Sequence, residues 1–152
     1  MVYFFDTSAL VKRYHEEKGT EFVDELFEDV KGKDEEAFVS SLTLLEMTSA
    51  FKRKQKGNII DEKEFNDILK TSFRELKECF TIVPVTEETI NESIFNVTEY
   101  ALKSLDSIHY QTVKEVEEMV EEDIIVITSD EELFDAFVEG GYESIDPEKK
   151  SG

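Results

Sequence analysis

Cysteine is almost missing from this chain: Cys79 stands alone among 152 residues. That excludes an intrachain disulfide and a thiolate metal cluster, and agrees with a reducing compartment. Proline occurs twice and glycine six times, and no segment reads as a linker, a repeat or a low-complexity tract. One domain over residues 1–146 is therefore expected, with 147–152 as a frayed tail. No apolar run approaches the roughly 18 residues of a membrane span, and the N-terminus lacks a charged segment leading into an apolar one. A soluble, cytoplasmic protein with no membrane partner is the expectation. Basic residues are also scarce, 17 Lys and Arg against 37 Asp and Glu, for a formal net charge of -20. Such a chain repels polyanions on average, so contact with nucleic acid requires bound cations or a local basic patch. The densest basic run is Lys52, Arg53, Lys54 and Lys56. It reads either as that patch, for RNA or a partner, or as a helix C-terminus complementing its own dipole before Gly57.

What the chain does have is four acids placed where apolar runs give way to helix starts: Asp6, Glu46, Asp106 and Asp130. Val2 to Phe5 is a buried-strand run ended by Asp6, and Ile124 to Ile127 is another, closed by Thr128, Ser129 and Asp130. In an open α/β sheet, ligands collect outside the strand C-terminal ends where strand order reverses. Carboxylates gathered there repel one another unless a cation intervenes. Oxygen donors without Cys or clustered His favour Mg²⁺ or Mn²⁺, ions that keep several waters and bind phosphates. Phosphodiester hydrolysis is the chemistry this donor set suits.

Between those two strands, Ala37 to Val39 reads as a strand and Phe80 to Val85 as another, with Pro84 limiting the latter to an edge or an end. Helical spacing marks Ala9 to Tyr14, Phe22 to Val30, Thr43 to Lys56, Phe65 to Leu76, Ile90 to Ala101, Asp106 to Val120 and Leu133 to Phe137. Tyr142 to Ile145 adds a last edge strand. Strands alternating with helices imply right-handed crossovers. The expected fold is a three-layer α/β/α sandwich on a mostly parallel sheet of four to five strands.

Taken singly, each acid also has a capping explanation, because acids favour helix N-termini. Thr43 to Glu46 has capping-box spacing, Asp6 and Asp106 suit plain caps, and Asp130 suits a cap beside Ser129 and Glu132. His109 lies three residues after Asp106, on the same helix face, and suits a structural or supporting role better than ligation. Thr7, Ser8 and Thr128 flank the acids, placed to bond carboxylates or to cap.

Four motifs occur in order: Phe5-Asp6-Thr7-Ser8-Ala9-Leu10, then Ser41 to Arg53 with Glu46 seven residues before Arg53, then Leu105-Asp106-Ser107-Ile108-His109, then Ile127-Thr128-Ser129-Asp130 with Leu133, Phe137 and Gly140 downstream. Together they resemble a PIN-domain ribonuclease of the toxin type found in VapBC toxin-antitoxin pairs, over nearly the whole chain. The resemblance implies a Mg²⁺- or Mn²⁺-dependent endoribonuclease in which Asp6, Glu46, Asp106 and Asp130 hold the metal and catalyse, with Ser8 and Thr128 supporting them. It also implies an RNA substrate, a cognate antitoxin and a homodimer, expected through the helices spanning 43–79. Ser107 departs from the small Ala usual in the third motif. A rival of another class is a catalytically weak PIN-like module that binds RNA or protein. Phosphatases of the haloacid-dehalogenase type want an acid at position 8, where this chain has Ser8, and a receiver domain wants an acidic pair and a later Lys that have no counterpart here.

Overall fold

Val2–Phe5 and Ile124–Ile127 are buried along their whole length because each of their residues packs on one face of a sheet or the other. The computed structural model describes residues 1–32 and 35–150. Its elements are β1 (Val2–Phe5), α1 (Thr7–Tyr14), α2 (Thr20–Lys31), β2 (Glu36–Ser40), α3 (Leu42–Lys56), α4 (Glu62–Cys79), β3 (Thr81–Val83), α5 (Glu87–Tyr100), α6 (Ser104–Met119), β4 (Ile124–Ile127), α7 (Glu131–Glu139) and β5 (Glu143–Ile145). The five strands form one sheet in the order β3-β2-β1-β4-β5, and every pairing is parallel. The three-layer α/β/α architecture is thus present with five strands, all parallel. Among the described residues no helix is long and apolar enough to cross a membrane.

Side chains alternate across a strand. Tyr3, Phe5, Val39, Ile125 and Ile127 therefore pack beneath α1 to α4, with Leu10, Phe27, Met47, Phe51 and Leu76. Val2, Phe4, Phe38, Ile124 and Val126 face the other way, onto Tyr110, Val113 and Val116 of α6 and Leu133 and Phe137 of α7. Strand β3 stops at Val83, short of the expected Val85, because Pro84 has no amide hydrogen for the ladder.

Two features depart from expectation. Residues 147–150 do not fray: Pro147–Lys149 forms a 3-10 turn with Pro147 buried. Glu148 pairs with the Lys12 ammonium at 3.4 Å, and Asp146 accepts from the Ser129 hydroxyl at 2.7 Å. Gly19, at φ +96°, makes room: a Cβ there would lie 2.9 Å from the Pro147 carbonyl carbon. Residues 151–152 lie outside the described residues. The second feature is α5, whose apolar spacing lies on its outer side. It buries Thr89, Ser93 and Asn96 against α6, while Ile90, Ile94, Phe95 and Val97 are 39% to 64% exposed. The polar inner face is satisfied: Asn96 donates to the Ser107 carbonyl and to Gln111 and accepts from Lys114, and Thr89 donates to Glu115.

Gly140 ends α7 beneath Tyr110, whose ring stacks on Phe137 at 4.9 Å between centroids. A methyl group at Gly140 would collide with the Tyr110 hydroxyl, and Tyr110 is 1% exposed. At this ordinary helical φ of -76°, Gly→Ala stabilises where there is space. Here Gly140→Ala is expected to destabilise by about 1–3 kcal/mol, read as a lower denaturation midpoint at unchanged slope in urea.

Candidate metal site at the strand C-terminal ends

Ladder register places the first two acids side by side. Phe5 is level with Ile127 across the β1–β4 pair, so Asp6 and the Thr128-Ser129-Asp130 turn leave adjacent strands at the same height. Asp6 is the N-cap of α1 and Asp130 the N-cap of α7. Asp6 Oδ1 accepts from the Ala9 amide at 3.3 Å and the Ser8 hydroxyl at 2.8 Å; Asp130 Oδ1 accepts from the Leu133 amide at 2.9 Å. The capping explanation therefore holds for these two, and it employs one oxygen of each carboxylate. Ser8 and Thr128 staple the two turns together. Ser8 Oγ accepts from the Ser129 amide at 2.9 Å, Thr128 Oγ1 accepts from the Asp130 amide at 3.1 Å, and the two hydroxyls are 3.4 Å apart.

Capping does not explain the other two. Helix α6 starts two residues before Asp106, with Lys103 at its N-cap, so Asp106 sits inside the first turn rather than opening the helix. Glu46 does not reach back to Thr43. Its Oε1 accepts instead from the Thr7 hydroxyl at 2.7 Å and from His109 Nε2 at 2.5 Å.

The electrostatics show that Asp106 feels the other three acids. Burial pushes the Asp106 carboxyl up to about 6, reinforced by the charges of Asp130, Asp6 and Glu46 and opposed by His109. Asp6, 4% exposed, is also raised by burial, against the pull of His109 and Ser8. Burial acts on Glu46 in the same direction, but the hydrogen bond and charge of His109 and the Thr7 hydroxyl outweigh it and hold that carboxylate low. Burial alone would lower His109; its bond to Glu46 and the charges of Glu46, Asp6 and Asp106 raise it. A buried carboxyl raised by the charges of three neighbouring acids, as Asp106 is, marks a place whose charge a hard divalent cation relieves. Among the described residues, no group of three His, Cys, Asp or Glu side chains stands at direct coordination spacing. The four carboxylates are nonetheless all hard oxygen donors, the ligand chemistry of an ion such as Mg²⁺. The residues present thus fit the group.

The basic run lies elsewhere. Lys52, Arg53, Lys54 and Lys56 occupy the last turns of α3, well down the helix from Glu46. Arg53 is steadied by Ser49, Lys54 by His15 and Lys52 by Gln55 and the Phe65 ring. Among the described residues none of the four makes a salt bridge. Thr7, expected from its place beside Asp6 to bond a carboxylate or to cap, bonds Glu46, and the pairing of His109 with Glu46 had no signal in the sequence.

With this geometry in place, the comparisons are direct. The PIN domain family model matches residues 3–138. The chain belongs to the PIN domain family. Its fold is similar to PAE2754 from Pyrobaculum aerophilum, at 19% identity and TM-score 0.65, over 95% of this chain and 83% of that one. It is similar to VapBC2 from Rickettsia felis bound to a DNA fragment from their promoter, at 10% identity and TM-score 0.62, over 96% and 98%. It is likewise similar to FitAcB from Neisseria gonorrhoeae, at 16% identity and TM-score 0.64, over 99% and 100%. A comparison with curated proteins returns no match.

The raised Asp106 carboxyl has a consequence for stability. Between its unfolded value near 3.8 and its folded value of about 6, the folded chain holds more protons than the unfolded one. Stability from this group is complete below the lower value and is lost as pH rises through the upper one. Asp106→Asn is therefore expected to raise the melting temperature of metal-free protein at pH 7 by roughly 2–4 °C, equivalent to about 1 kcal/mol. The gain should fade toward pH 4. A calorimetric series across pH on both proteins reads it.

Proposed function

We propose that this PIN domain is a Mg²⁺- or Mn²⁺-dependent endoribonuclease, the toxin of a toxin-antitoxin pair, which hydrolyses RNA phosphodiester bonds at Asp6, Glu46, Asp106 and Asp130. The observation that carries the reading is the convergence of the four acids on one electrostatic neighbourhood, expressed in the raised Asp106 carboxyl. Family membership supports it, since PIN domains are generally nucleases that use divalent ions. The toxin assignment and a cognate antitoxin draw support from fold relatives solved as VapBC2, as a toxin-antitoxin complex from Klebsiella pneumoniae and as FitAcB.

In this reading Asp6, Asp106 and Asp130 hold the ion, directly or through its waters, and Glu46 closes the ring from α3. The ion supplies Lewis acidity: it makes a water's proton labile near neutral pH and offsets the phosphate charge. Ser8 and Thr128 keep the Asp6 and Asp130 turns in register. Glu46 is held ionised by His109 and Thr7, which suits it to orient a water for in-line attack. Lys52, Arg53, Lys54 and Lys56 meet the RNA backbone away from the acids, where the field of the other carboxylates is screened beyond roughly 8 Å at physiological salt.

The homodimer has a candidate face in α5, because Ile90, Ile94, Phe95 and Val97 form an exposed apolar strip of the kind a monomer rarely leaves uncovered. The expected α3 and α4 surfaces bury Met47, Phe51 and Leu76 in the core and keep Leu45 exposed and Phe65 and Ile68 partly buried, so they stand as the alternative face. Glu87, Glu88 and Glu92 lie on the same helix, so two copies associate more strongly as salt screens them.

Asp6→Asn and Asp130→Asn are each expected to lower Mn²⁺-dependent RNA cleavage on the order of 100-fold or more, the scale of losing a charge-stabilising group, with the fold intact by circular dichroism. Wild-type rates in either variant would sink the assignment. If the α5 strip is the dimer face, Ile94→Lys gives monomer in light scattering at a concentration where the parent is dimeric, with Mn²⁺ binding unchanged.

A further inference from the structure

His109 lies one turn beyond Asp106 on α6 and is 2% exposed, with the Phe4 ring edge-on at 6.2 Å. Among the described residues its Nδ1 atom has no hydrogen-bond partner. Its Nε2 atom makes a single hydrogen bond, to Glu46 Oε1, so Nε2 carries the hydrogen. Glu46 belongs to α3, which packs on the opposite face of the sheet from α6. The bond therefore arches over the C-terminal edge of the sheet and joins the two helical layers at the acid cluster. Thr7 donates to that same Oε1 atom at 2.7 Å, and among the described residues Oε2 receives no side-chain hydrogen bond.

Burying an imidazole against apolar neighbours costs free energy unless its polar atoms are matched. Here one nitrogen is unmatched and the other serves Glu46 alone. A hydrocarbon side chain would fill the space without that cost, so the polar atom is explained by what it does for Glu46. A carboxylate on three rotatable bonds, 23% exposed, would otherwise sample several orientations. Two donors converging on one oxygen remove that freedom and leave the second oxygen to the site.

We propose that His109 is a positioning residue, which with Thr7 fixes the Glu46 carboxylate from across the sheet so that one oxygen is committed to protein and the other presented to the cation. The role rests on the metal-nuclease reading, and it predicts a property separable from catalysis: metal affinity without RNA.

The test is Mn²⁺ titration calorimetry on full-length wild type, His109→Leu, His109→Gln, Glu46→Gln and the Glu46→Gln/His109→Leu double variant, at a temperature where circular dichroism shows each folded. His109→Leu should weaken Mn²⁺ binding about 10- to 100-fold, the usual cost of losing a group that orients a ligand. His109→Gln, whose amide nitrogen reaches the Nε2 position, should recover most of it. In the Glu46→Gln background His109→Leu should add little, because residues acting through one another are not additive. A merely structural histidine would not give that pattern. In parallel, the His109 Nε2 proton should resonate far downfield in wild type by NMR and move upfield in Glu46→Gln, which tests the bond even if His109→Leu does not fold. Unchanged Mn²⁺ affinity in folded His109→Leu beside a wild type that binds overturns the role of His109 alone, as do additive losses. A wild type that takes up no Mn²⁺ overturns the metal-site reading and this role together.

Discussion

Everything at the functional end of this molecule depends on one pairing, β1 against β4. Parallel ladders run in register, and level strands end level. Because Phe5 sits opposite Ile127, the two helix starts that follow must lie side by side, each capped by an aspartate. The crevice is the topological switch point of the sheet: from β1 the chain moves to β2 on one side and later returns as β4 on the other. Two acids are thus delivered by strand pairing alone. The remaining two arrive on α3 and α6, one from each layer. The Glu46 to His109 hydrogen bond closes the arrangement over the sheet edge.

Placing like charges together in a partly desolvated crevice is unfavourable for the fold by itself: the raised Asp106 carboxyl registers both burial and the neighbouring acids, and the raised Asp6 carboxyl registers burial. The surrounding structure tolerates it because an apolar core lies on each face of the sheet. Concentrated strain of this kind, where local choices disagree with stability, is the signature of a functional location.

The strands and most helices were legible because their apolar runs had only one period each. For Asp6 and Asp130 the capping and site explanations were never rivals: a carboxylate has two oxygens, and the amide of Ala9 or Leu133 engages only one of them. Glu46 was the informative case, since its box-like spacing after Thr43 is a coincidence and its real partners come from 39 and 63 residues away. No local pattern encodes that. The orientation of α5 was equally illegible. Period 3.6 states that Ile90, Ile94 and Val97 share a stripe, not whether that stripe faces in or out. The matched set of Thr89, Asn96, Gln111 and Lys114 decides it in favour of out. The seating of residues 147–150 depends on a gap left by Gly19, a backbone feature invisible in the polarity of the tail.

The net charge of -20 and the proposed RNA substrate are compatible along a single helix. Helix α3 carries Glu46 in its second turn and its four cations in the last two turns, and both placements agree with the helix dipole, negative charge near the N-terminus and positive near the C-terminus. The dipole accounts for where the charges sit without requiring RNA. It does not account for the lack of carboxylate partners around those cations among the described residues, in a chain with more than two acids for every base. Seven residues of helix separate Glu46 from Arg53, about 10 Å at 1.5 Å per residue, somewhat more than the physiological screening length. A phosphate resting on the patch therefore feels mainly the patch. One that reaches the acids feels mainly the acids, and there a bound cation is required for attraction. If the proposed RNA substrate is correct, the negative field of the acids makes metal loading a precondition for its contact at the site.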